Sequence, residues 1–170
     1  MNNKGDFTGL LFFVVSIAAF GIFLLIVGYV VPQIYTQLQN QMGVSVDINN
    51  SFSSGSNVAQ NTLPVIWMIM FGGLLLGLMA TAWFVPSHPI FAPIFGILMV
   101  ITIFVSIALS NAYQSLAANA TLSSTAADQG AIGFILNNLP YVSFAIGILV
   151  LIISYAKPGV GGGDQGGIPM

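Results

Sequence analysis

Uncharged apolar runs long enough to cross a bilayer alternate with polar stretches that hold every ionisable side chain. Runs at 10–31, 63–84 and 90–109 each reach the roughly 20 residues that a hydrocarbon core requires, and a fourth begins at about Ala131 or Tyr141 and ends at Tyr155. Lys4, Asp6, Asp47, His88, Asp128, Lys157 and Asp164 all fall in termini or connections. The pattern predicts an all-α integral membrane protein with four transmembrane helices. The first run exceeds a signal-peptide core, Lys4 is offset by Asp6, and no small-x-small cleavage site follows, so it is expected to stay as a membrane anchor.

The expected organisation is a first hairpin over 1–84 with a polar outer loop at 32–62, then a stiff turn at 85–93. A second hairpin follows over 94–156 with an outer loop at 110–138, and a Gly-rich tail closes the chain at 157–170. Pro86, Pro89 and Pro93 restrict the turn to extended or first-turn helical geometry. His88 within it is expected to have no special role. Lys4 precedes the first span and Lys157 follows the last, which places both termini on the cytoplasmic side. Tyr29, Trp67 and Tyr141 fall near one membrane face and Trp83 and Tyr155 near the other, as interfacial anchors do.

The two halves echo each other. Tyr35 and Leu38 follow the first span as Tyr113 and Leu116 follow the third, and Asn61, Leu63 and Pro64 open the second span as Asn137, Leu139 and Pro140 open the fourth. Each half reads as helix, Tyr-x-x-Leu, polar stretch, Asn-x-Leu-Pro, helix. Asn can cap orphan N–H groups at a helix start, and proline is tolerated in the first turn. On this reading the fourth span starts near Leu139 and 131–136 forms a short apolar or re-entrant segment, while the first and third helices run on beyond the membrane. Tandem hairpins of one direction would form a parallel repeat about an axis along the membrane normal. Capping chemistry alone would also produce Asn-x-x-Pro before two helices, so duplication and coincidence both stand.

Composition narrows the chemistry. The chain is 56% hydrophobic and 4% charged, with mean hydropathy +0.96, against roughly a quarter charged in a soluble domain. Two lysines, with no Arg, leave nothing to neutralise phosphates, so no nucleic-acid partner is expected. No Cys and one His exclude thiolate chemistry, Cys-ligated metal and a multi-His site within one chain. No nucleophile elbow or phosphate loop occurs. The reading is no enzyme, with no catalytic, cofactor-binding or metal-binding residue. Asp47 and Asp128, one in each outer loop, are too few carboxylates to hold a cation. The glycosylation-like triplets at Asn49 and Asn119 are read as chance.

Small residues at helical spacing mark helix-packing surfaces: Gly73 with Gly77, Ser106 with Ser110, and Ser143 with Gly147. They are expected to pack the four helices of one chain together, with a homo-oligomer as the other outcome. Tyr35, Leu38, Tyr113 and Leu116 are the expected partner-docking residues. Uncharged outer loops suit burial against another protein, because burying unpaired charge is costly.

The runs His88-Pro89-Ile90-Phe91, Ser110-Asn111-Ala112-Tyr113 and Asn138-Leu139-Pro140-Tyr141, with a last span ending in Lys157-Pro158, cover about the C-terminal half. In their order the chain resembles small multi-span membrane proteins of lipid-containing viruses and related mobile elements. The resemblance implies a non-enzymatic structural or assembly protein in a virion internal membrane, contacting lipid and capsid or vertex proteins. A prokaryotic cytoplasmic membrane is the other setting. Two alternatives belong to other classes: a small oligomeric or holin-like pore, which needs a continuous polar stripe, and an accessory subunit of a membrane enzyme complex, which needs a cofactor-bearing partner.

Overall fold

The computed structural model describes residues 5–42, 46–84 and 92–156. Three helices are long and apolar enough to cross a membrane, and four if a bent pair counts as one span. Helix α1 (Gly5–Met42) has 38 residues and so runs about 57 Å, well beyond a hydrocarbon core of about 30 Å. Helix α2 (Val46–Asn57) leads through a π-helical turn at Val58–Thr62 straight into α3 (Leu63–Phe84). Helix α4 (Ala92–Ala117) is followed by two short helices, α5 (Ser123–Asp128) and α6 (Gly130–Asn137), and then by α7 (Leu139–Tyr155). Among the described residues there is no strand.

The outer loops expected at 32–62 and 110–138 are therefore largely helical. Their Asn, Gln, Ser and Ala residues carry no charge, Asp47 and Asp128 are the sole charged residues in the two stretches, and neighbouring helices supply packing that propensity alone does not. The turn at 85–91 with His88, both lysines, the tail at 157–170 and the side chain of Asp47 lie outside the described residues.

The four long helices form a ring. Helix α1 packs on α3 and α4, α7 packs on the same two, and α3 and α4 take opposite corners. A twofold axis along the bundle would put α1 and α4 diagonally across from each other, yet they are neighbours. The halves are thus not arranged as a twofold parallel repeat. They also differ locally: the first returns through a continuous α2–α3 path, the second through a 72° break between α6 and α7.

The break accounts for its own backbone groups. Asn137 is the residue that the sequence pattern assigns to the cap of α7, but the residue at that position is Asn138, and it makes no side-chain cap. Its Nδ2 instead donates to the carbonyl of Phe134 at 2.8 Å, which also accepts the Asn138 backbone N–H at 3.2 Å, so the residue ties off the end of α6 twice. The neighbouring carbonyl of Asn137 accepts from Ser110 Oγ at 2.9 Å. Pro140 sits in the first turn of α7, where its missing N–H costs nothing.

The core is built around α1, whose most apolar stretch is 44% buried, against 11% for the α3 span and 17% for α4. Leu10, Val14, Ile17, Leu24 and Leu25 form its inner face with Trp67, Ile132, Leu136 and Leu139. The outward faces of α3 and α4 carry Ile69, Leu76, Ile97 and Phe104 exposed, as side chains facing lipid would be.

Candidate functional site

The chemistry-bearing groups gather at one end of the bundle, the outer end by the expected orientation, where α5 and α6 form a cap. Helix α6 touches all four long helices. Its residues Ile132, Gly133 and Leu136 are buried, and Phe134 is its outward-facing side chain. Close approach to α1 depends on two glycines seven residues apart on one face. A Cβ at Gly21 would lie 2.6 Å from Leu136 Cδ1, and one at Gly28 would lie 2.6 Å from Gln129 Nε2 and 3.0 Å from Thr125 Cγ2. On the other side Gly133 makes room for the Tyr113 ring, whose hydroxyl would be 3.2 Å from a Cβ there.

Gln129, between α5 and α6, is the pin of this cap. It is 2% exposed, and its Nε2 donates to the carbonyl of Leu24 at 3.0 Å. Its Oε1 is buried without a hydrogen-bond partner, as is the hydroxyl of Tyr113. An unpaired buried acceptor costs roughly 1–3 kcal/mol, so the packing around Gln129 holds it against that cost.

Beside the pin lies a polar cleft of about 330 Å³ lined by Tyr29, Pro32 and Gln33 of α1, Gln60 of the π-helical turn, and Thr121, Ser124, Thr125 and Asp128, with Gly28 among its lining. Three transitions from apolar to polar sequence meet here: after Val31, before Leu63 and before Gly130. Pro32 has no N–H, so the α-helical hydrogen bond to the Gly28 carbonyl is missing. Thr121 is held by an Asx turn, its N–H and hydroxyl both donating to Asn119 Oδ1 at 3.0 and 2.6 Å. The Asn-Ala-Thr triplet thus has a conformational role.

Inside the bundle the polar side chains are consumed in pairs. Thr102, Ser106 and Ser110 recur every fourth residue on the buried face of α4. Ser106 Oγ meets Ser143 Oγ at 2.8 Å, and each also donates to the carbonyl four residues earlier, Thr102 and Leu139 respectively, at 2.7 Å. Two hydroxyl protons serve three contacts, so one is shared. Gly147 packs with its Cβ position 3.0 Å from Met99 Cε. Ser106, Ser143 and Gly147 therefore share the α4–α7 seam, and Ser110 joins α4 to the end of α6.

Other expected site residues sit differently. A Cβ at Gly73 or Gly77 meets nothing within 4 Å; both border an open groove of about 360 Å³ with Gly9, Phe13 and Leu78. They do not bring two helices of this chain into close packing. Trp67 is no interfacial anchor: it is 0% exposed, stacks on Phe71 and donates from Nε1 to the Ile17 carbonyl at 3.4 Å. Tyr113 is buried beside Gly133 of α6 and is not free to dock a partner, whereas Leu116 is half-buried with one side on the core. Tyr35 and Leu38 are half-buried, with Gln39 Nε2 donating to the Tyr35 hydroxyl at 2.7 Å. Trp83 at 52% and Tyr141 at 77% exposure face outward. Tyr29 is in the cleft, and Tyr155 is half-buried, its hydroxyl without a partner.

No protein-family model, curated protein or solved structure matches the chain. The site is therefore read from its own residues. Gln129, Gly28, Gly21, Gly133 and Pro32 were not singled out from sequence. The seven-residue spacing of Gly21 and Gly28 on one face of α1 was the available signal. Among the described residues no group of three or more His, Cys, Asp or Glu could hold a metal.

Proposed function

We propose that this chain is a non-enzymatic structural or assembly component of a membrane, with a virion internal membrane as its setting and capsid or vertex proteins as its partners. The observation that carries the reading is the division of its surface. Apolar side chains face outward along α3 and α4, while the outer end is an ordered, nearly charge-free helical cap whose exposed Asn119, Thr121, Ser123 and Ser124 suit packing against another protein. The resemblance to small virion membrane proteins supports the setting.

A pore is the weaker reading. It would need a polar lumen, and the polar stripe of α4 is turned inward and spent on Ser143 and the Asn137 carbonyl. Helix α6 fills the outer end of the ring. Gentle detergent extraction from the native source, followed by mass spectrometry of co-migrating proteins, tests the proposal. Capsid proteins in the same particle support it. A homo-oligomer without partners would sink it, and a cofactor-bearing partner would replace it with the accessory-subunit reading.

A further inference from the structure

We propose that the outer cleft binds a primary ammonium group, and that its source is the ethanolamine headgroup of a membrane lipid. The cleft is rich in acceptors. Asp128 carries the carboxylate, and Pro32 frees the Gly28 carbonyl of its helical donor. The Thr121 hydroxyl has already given its proton to Asn119. Among the residues that line the cleft there is no Lys, Arg or His to compensate that carboxylate.

A ligand that answers this lining must bring positive charge and several N–H donors. A primary ammonium brings three; a quaternary ammonium has the charge and none of the donors. A site built around hydrogen bonds rejects the analogue that lacks them. The amides of Gln33 and Gln60 and the hydroxyls of Ser124 and Thr125 are donors for the phosphodiester beside such a headgroup. The location fits as well, because the cleft lies where the apolar runs of α1, α3 and α6 give way to polar sequence, the level at which headgroups sit.

The full chain, purified in mild detergent, is equilibrated with equimolar phosphatidylethanolamine and phosphatidylcholine of identical acyl chains, and retained lipid is read by native mass spectrometry. Phosphatidylethanolamine is expected to be retained about tenfold over phosphatidylcholine, the worth of a charge-assisted hydrogen bond. Asp128→Asn is expected to abolish the preference. Asp128 is exposed, so the variant keeps its fold, and Ser124→Ala, also exposed, should weaken retention less. Free ethanolamine that competes with the lipid identifies the ammonium as the group recognised. Equal retention of the two lipids, or a preference that survives Asp128→Asn, overturns the proposal. An Asp128-dependent bound protein with no lipid preference also overturns it, and points to a partner's lysine.

Discussion

Gly28→Ala is the most informative single change, because one methyl group tests how the cap is seated on α1. The new Cβ would lie 2.6 Å from Gln129 Nε2 and 3.0 Å from Thr125 Cγ2, both inside ordinary contact distance, so the α5–α6 corner must shift. Moving it strains or breaks the Gln129–Leu24 hydrogen bond, worth about 0.6 and at most about 1.7 kcal/mol between membrane helices. Overpacking adds about 1–3 kcal/mol. Against this, alanine is favoured over glycine in a helix interior by about 1 kcal/mol. The net expected loss is about 1–3 kcal/mol, read as a lowered unfolding midpoint in detergent, with buried Trp67 as one fluorescence probe. Adding Gln129→Ala to Gly28→Ala removes the clashing amide, so the double variant should lose less than the sum of the two single losses by about 0.5–3 kcal/mol. A Gly28→Ala variant as stable as the parent, or two losses that simply add, would refute the seating of Gln129 over Gly28.

In a double-mutant cycle Ser106→Ala and Ser143→Ala should show a coupling of about 0.6 kcal/mol, below about 1.7, because both hydroxyls also bond their own helices; zero coupling in thermal unfolding would separate the pair. Gly73→Leu should leave the stability of the isolated chain within about 0.5 kcal/mol of the parent, as expected where a substitution meets no packed neighbour, and a large loss would show that something packs there. Trp67→Ala should cost about 3–5 kcal/mol, the range for a fully buried aromatic, measured by circular dichroism on heating since the probe itself is lost.

The spans were legible in the sequence because apolar length and the absence of charge are local properties. So was the break before Leu139, where Asn138 and Pro140 punctuate an apolar stretch. What the break is for was not legible. Asn138 closes the end of α6 and does not open α7, a choice set by the bend that the rest of the bundle imposes. The aromatic rule misplaced Trp67 because a tryptophan near a span end is equally suited to a core that offers it a carbonyl, and Ile17 lies 50 residues away. Gly73 and Gly77 misled for the opposite reason: small residues permit close approach without causing it, and a Cβ at either position meets nothing within 4 Å. Gly21 and Gly28 do pack closely, but their partners are about 100 residues distant, so their spacing marks a close-packing face without saying what fills it. Tyr113 looked like a docking residue because it repeats Tyr35 beside an uncharged polar stretch; it is buried against α6, while Tyr35 is half-buried.

That α6 seats between the long helices and closes the outer end is tested most directly by a cross-link. The chain has no native cysteine, so Gly21→Cys with Leu136→Cys places a single reactive pair. A Cβ at Gly21 lies 3.4 Å from Leu136 Cγ, which brings the two Cβ atoms near the roughly 3.5–4.5 Å that a disulfide spans. Under mild oxidation in native membranes the closed account predicts a near-complete intramolecular disulfide, seen as faster migration without reductant. A pair that stays reduced while an outward control at Phe134→Cys is fully reactive would mean that α6 continues α7 as a straight span, leaving the outer end of the bundle open.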